Sequence, residues 1–188
     1  MRSLSQQLAN YAAYHRDRRN IATHFVGIPM IVFAVCVLLS KPTLSLNFVS
    51  TGKMIGAGTW VLDLTPAIVV ALVTSLYYLR LSLGFGVVMS ALLALSVWGA
   101  LPIAALSTPQ WLAWGLGLFF VGWLIQFIGH WYEGRKPAFV DDLIGLVIGP
   151  LFVVAEFAFL LGLAGGLKRE IEAQVGPTRG ARPGAHPA

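Results

Sequence analysis

Leu81–Tyr132 contains no Asp, Glu, Lys or Arg. A helix crosses the hydrocarbon core of a bilayer in about 20 residues, so this stretch of 52 residues is too long for one crossing and suits two. Pro102 and the polar Ser107-Thr108-Pro109-Gln110 supply the turn between them. Spans are therefore predicted near 82–105 and 111–130. The composition agrees: 57% of the 188 residues are hydrophobic. A soluble core of this size cannot bury so much apolar surface, and the surplus must face lipid.

The other apolar runs set the remaining crossings. No residue from Asn20 to Ser40 carries a formal charge. Ile21–Ser40 reads as the first span, with His24 at its rim and Lys41-Pro42 closing it. Leu64–Leu79 is the second, with Tyr77 and Tyr78 as interfacial aromatics and Arg80 at its end. Thr43–Asp63 between them is mixed in character and reads as a loop, with a short interfacial piece near Trp60-Val61-Leu62. Residues 3–18 predict an amphipathic helix whose Leu4, Leu8, Tyr11 and His15 share one face. Asn20 or Thr23 then caps the next helix. The last apolar stretch, Leu143–Leu167, is broken by Gly149-Pro150 and interrupted by Glu156.

The expected fold is thus all-α: a polytopic helical membrane protein with 4–5 transmembrane segments behind an N-terminal amphipathic helix. Residues 1–168 form a single integral membrane domain, and 169–188, rich in Pro, Gly and Arg, a disordered tail. The net charge of +5 marks a membrane face, because most basic residues flank apolar runs. No nucleic-acid-reading motif is present, so nucleic acid is not an expected partner. The lone Cys36 offers neither a disulfide nor a CxxC metal knuckle. The N-terminal residues lack the continuous apolar run of a signal peptide.

Arg16, Arg18 and Arg19 place the N-terminus inside. Counting crossings from there puts His15, His24, His130, Glu133, Asp141 and Asp142 at one face, with Arg135 and Lys136. The fourth histidine, His186, falls in the tail. A straight fifth crossing would put Lys168, Arg169, Arg179 and Arg182 outside, against the rule. It would also sink Glu156 roughly 21 Å below Asp142, where an unpaired carboxylate costs ~2.5 kcal/mol or more. A re-entrant path turning at Gly149-Pro150 would return Glu156 toward the histidines. Both paths fit the sequence.

Gln126, His130 and Glu133 share one helical stripe, and His15 and His24 can meet at a corner between two helices. Neutral imidazoles with carboxylates suit Fe, Zn or Cu, and two histidines with one carboxylate hold iron in non-haem Fe(II) oxygenases. The residues alone also fit a plainer picture. In it the histidines anchor at an interface, Glu133–Lys136 is a solvated loop, Asp141 or Asp142 caps a helix, and the Trp and Tyr residues form an aromatic belt.

Two blocks carry a family resemblance. One is Tyr14-His15, Asn20 and His24-Phe25-Val26-Gly27-Ile28-Pro29. The other is Gln126-Phe127-Ile128-Gly129-His130, Glu133 and Lys136-Pro137-Ala138, followed by Gly149-Pro150-Leu151-Phe152 and Glu156. On these residues the chain resembles the membrane-embedded Fe(II)-dependent 2-hydroxy fatty acid dioxygenases, over roughly residues 5–168. Characterised members of that family act in phytosphingosine breakdown. The resemblance implies an oxidoreductase that shortens a 2-hydroxy fatty acid by one carbon with O2, a fatty acid α-oxidation. It implies Fe(II) held by His15, His24 and His130, with Glu133 and Glu156 as further ligands or groups orienting the imidazoles. Membrane lipid would surround the acyl chain, and Arg16, Arg18, Arg19 or Lys136 would pair with the substrate carboxylate. The short chain without an endoplasmic-reticulum signal suggests a bacterial inner-membrane protein with its site at the cytoplasmic face. Two rivals stand beside this reading: a non-catalytic membrane protein binding metal or lipid, and a metal-dependent intramembrane hydrolase.

Overall fold

The computed structural model describes residues 2–50, 58–138 and 143–180. Asp141, Asp142 and His186 lie outside the described residues.

The first helix, α1 (Leu4–Ala12), starts on a capping box. Ser3 Oγ accepts the Gln6 N–H, and Gln6 returns its Oε1 to the Ser3 N–H. Leu8 and Ala12 on its inner face are fully buried. The helix stops at Ala12, well short of residue 18, and a tight turn carries His15. Helix α2 (Arg18–Leu38) then begins. Its cap is Asp17, whose Oδ1 accepts the Arg19 N–H at 2.8 Å. Asn20, expected as a possible cap, is buried inside and bonded elsewhere.

The apolar runs become α2, α3 (Pro66–Leu81), α4 (Leu83–Ala104) and α5 (Thr108–Glu133). Helices α2, α4 and α5 are long and apolar enough to cross a bilayer; α3 is apolar but shorter. Their outer faces stay apolar, with Leu72, Leu76, Leu95, Trp98, Phe120 and Leu124 each more than half exposed, as lipid-facing surface requires. These helices point to association with a membrane.

The tightest helix pair is α2 with α5, which run antiparallel and meet through small residues. A Cβ added at Gly27 would lie 2.5 Å from Gln126 Nε2 and 2.9 Å from the Gly122 carbonyl. One added at Gly129 would strike Thr23 and Asn20. Glycine therefore sets the separation of the two helices that carry His24 and His130.

Two features depart from the sequence reading. Thr43–Asp63, expected as a loop, instead holds most of two antiparallel strands, β1 (Leu44–Ser50) and β2 (Gly58–Leu64), with Leu44 opposite Leu64. Helix α6 (Gly145–Leu160) runs unbroken through Gly149-Pro150. The break comes later, where Gly162 takes φ 74° and Ala164 φ 52°. Helix α7 (Gly165–Val175) leaves at 116° to α6. The segment expected to be a disordered tail from 169 is thus helical to Val175, and Ile171 is buried in the cluster that holds Leu8 of α1. The chain then returns to the α1–α2 turn, where Arg179 donates its N–H to the Arg16 carbonyl at 2.7 Å. Its own carbonyl accepts the Arg18 N–H at 3.3 Å.

Candidate metal centre

The α1–α2 turn supplies His15, the second turn of α2 supplies His24, and the last turn of α5 supplies His130. All three are buried, and one nitrogen from each lies within 4.8 Å of the others. The ring centroids stand 4.4, 4.9 and 5.2 Å apart at steep interplanar angles, so edges rather than faces converge.

The backbone orients the rings. His15 Nδ1 lies 2.7 Å from the Tyr11 carbonyl and His24 Nδ1 2.8 Å from the Asn20 carbonyl, each one helical turn back. In both, Nδ1–H donates and Nε2 keeps its lone pair for the centre. His130 bonds the backbone at Arg135. Among the described residues, His15 Nε2 and His130 Nδ1 are buried without a hydrogen-bond partner. A buried polar atom left unpaired costs roughly 1–3 kcal/mol, and a cation between the rings removes that cost. Burial, with His24 beside it, holds the His15 imidazole well below its usual 6.5. It is therefore a neutral imidazole at physiological pH, the form a metal would need. Three imidazoles with no carboxylate among them fit Fe, Zn, Cu or Ni and leave coordination positions open.

Aromatic rings brace the turn. Tyr11 stacks on His15 at 4.1 Å and 7°, and Phe152 of α6 packs against both at 5.1 and 5.6 Å. The sequence placed Tyr11 and His15 on one face, but did not foresee that the Tyr11 carbonyl would fix the His15 tautomer.

Glu133 stands outside the histidine trio. Its side chain is 1% exposed. Oε2 accepts the backbone N–H groups of Arg16 and Asp17 at 2.9 and 2.7 Å and an amide N–H of Asn20 at 3.1 Å. Oε1 faces the Arg179 guanidinium at 3.5 Å. One carboxylate thereby clamps the residue after His15 and the residue whose carbonyl holds His24. Glu156 also stands apart. It lines a 510 Å³ cavity with Arg18, Phe25, Lys168 and Glu172, and Arg16 is its strongest favourable charge. Two of the cations expected to meet a substrate are engaged as well. Arg16 is 4% exposed and spans from the His15 carbonyl to the Gly176 carbonyl. Arg19 pairs with Asp17 at 2.9 Å and lies over the Tyr132 ring.

An apolar cavity of 60 Å³ opens beside His24 and His130, between α2, α5 and α6. Ile28, Ile31, Leu146 and Pro150 line it, with Tyr11 and Gln126.

A family profile described as "2-hydroxy-palmitic acid dioxygenase Mpo1-like" matches residues 1–161. The chain is 31% identical over 173 residues to "2-hydroxy-palmitic acid dioxygenase MPO1" of Saccharomyces cerevisiae. That alignment covers 90% of this chain and 87% of the yeast protein. No solved structure matches.

Proposed function

Because the chain belongs to the Mpo1-like family of 2-hydroxy-palmitic acid dioxygenases, we propose that it is an Fe(II)-dependent, membrane-spanning enzyme that shortens 2-hydroxy fatty acids by one carbon with O2. The carrying observation is the trio of buried imidazole nitrogens, mutually within 4.8 Å, on His15, His24 and His130. Iron(II) in that set would supply O2 activation next to a 2-hydroxy carboxylate. The overall change needs no external reductant: hydroxy acid and O2 become the shorter acid, carbon dioxide and water.

This chain's residues would do the rest. Tyr11 and Asn20 hold two imidazoles in the metal-binding tautomer through their carbonyls. Glu133 fixes the turn that carries His15, acting on the centre through the backbone rather than as a ligand. The apolar wall of α2 and α6 excludes water from the reacting face and receives the start of the acyl chain. The exposed apolar faces of α3–α5 sit in lipid, with the centre at the membrane face marked by Arg16, Arg18 and Arg19; a bacterial inner membrane, the site facing the cytoplasm, fits this placement.

The test is metal analysis and O2 consumption on purified protein reconstituted anaerobically with Fe(II). The expected result is stoichiometric iron, lost in each of His15→Ala, His24→Ala and His130→Ala. O2 uptake with 2-hydroxypalmitate should yield an acid one carbon shorter by mass spectrometry. Stoichiometric zinc without O2 uptake would favour a hydrolase, and protein that takes up no metal would remove both enzyme readings.

A further inference from the structure

The histidine centre accounts for the metal, yet Arg16 and Arg19, which flank it, are held by the protein itself. A carboxylate and hydroxyl entering the apolar cavity need a polar group already inside. Beside His24, His130 and Tyr11, Gln126 is such a group. It is 4% exposed, lines the cavity with His24 and His130, and its Nε2 has no hydrogen-bond partner among the described residues. It stands one helical turn before His130 on the same face of α5. Across the interface its amide lies against Gly27, one turn beyond His24. Any side chain at Gly27 would occupy the space of that amide, since a Cβ there comes within 2.5 Å of Nε2.

We propose that the Gln126 amide binds an oxygen of the substrate's 2-hydroxy carboxylate head, beside His24, His130 and Tyr11, in a cavity whose remaining lining is apolar. This rests on the dioxygenase reading above and deepens it. An unpaired buried amide destabilises the empty site, and a substrate oxygen satisfies it, so the same atom favours the correct ligand and disfavours a plain hydrocarbon. The cavity's 60 Å³ takes the head and the first methylenes. The rest of the acyl chain must run out along the exposed apolar flank, where Phe127 and Leu146 are about half exposed. Selectivity therefore resides at the head, and tolerance of chain length follows.

The test uses the iron-loaded full chain in detergent with 2-hydroxypalmitate as probe. Gln126→Met keeps length and bulk without the amide. Gln126→Glu keeps the shape and sets a carboxylate against the substrate's own, so it also reads out if the Met variant does not fold. The expected result is a KM raised about 10- to 100-fold, the size of a charge-assisted hydrogen bond. Iron content should stay at the wild-type level and kcat within a few-fold. An unchanged KM in both variants would overturn the proposal, as would loss of iron in both, which would make Gln126 a support for the histidines. If wild-type protein holds iron but consumes no O2 with 2-hydroxypalmitate, the dioxygenase reading falls first and takes this proposal with it.

Discussion

Glu133→Ala separates a ligand from a clamp. The carboxylate accepts three hydrogen bonds on Oε2, from the Arg16 and Asp17 N–H groups and from Asn20. Truncation takes that acceptor from all three donors, leaving Asn20 only a long 3.4 Å bond to the Tyr14 carbonyl, in a site where the side chain is 1% exposed. At about 1 kcal/mol each the loss is about 3 kcal/mol, or about 6–12 °C in Tm for a chain of this length. The loss should be present in metal-free protein, because the clamp is made without metal. Loosening the His15 turn and Asn20 should also weaken metal binding about 10- to 100-fold, measured by competition with a chelator. Glu133→Gln keeps one acceptor oxygen and should cost about 1 kcal/mol while retaining metal. If both variants lose the metal completely while the metal-free Tm is unchanged, Glu133 is a ligand and the reasoning fails.

Gly129→Ala should push α5 off Thr23 and Asn20, costing about 1–3 kcal/mol and lowering metal occupancy; unchanged Tm and occupancy would contradict the close packing. Tyr11→Leu, which removes the ring stacked on His15, should destabilise by about 0.5–1.5 kcal/mol beyond lost area, read by thermal unfolding. Truncation after Ala164 removes α7 and the return strand. It should speed hydrogen exchange at the Arg18 amide, now bonded to the Arg179 carbonyl, while helices α2–α5 keep their protection. Unaltered exchange there would show that the return strand does not hold the turn.

The helices were legible because length and charge decide them: a long uncharged run divides only one way into spans and a turn. Counting crossings was enough to bring His15, His24 and His130 to one end. Glu133 shows where such reasoning stops. Its place on the stripe of His130 puts it near the centre, but its partners are backbone N–H groups at Arg16 and Asp17, which leave no mark in a side-chain pattern. Gly149-Pro150 misled for a related reason. Proline breaks helices in water, yet apolar surroundings tolerate it, and Gly149 is used for close approach to the Tyr11 ring. The true bend depends on positive φ at Gly162 and Ala164, in a stretch that reads as apolar throughout. The two strands were hidden inside a mixed segment, although Leu44, Leu46 and Phe48 alternate with polar neighbours.

The pairing of α2 with α5 also dictates an order of assembly. Two of the imidazoles belong to the first part of the chain, on α2 and on the turn that Glu133 of α5 later clamps. The third arrives only after α3 and α4 have been made and α5 has come back past them to meet Gly27. A chain stalled before that step, or one with α5 docked elsewhere, presents two imidazoles and would hold metal only weakly. Tight metal capture by the proposed centre would therefore come late in biogenesis and would mark the chains whose helices have docked correctly.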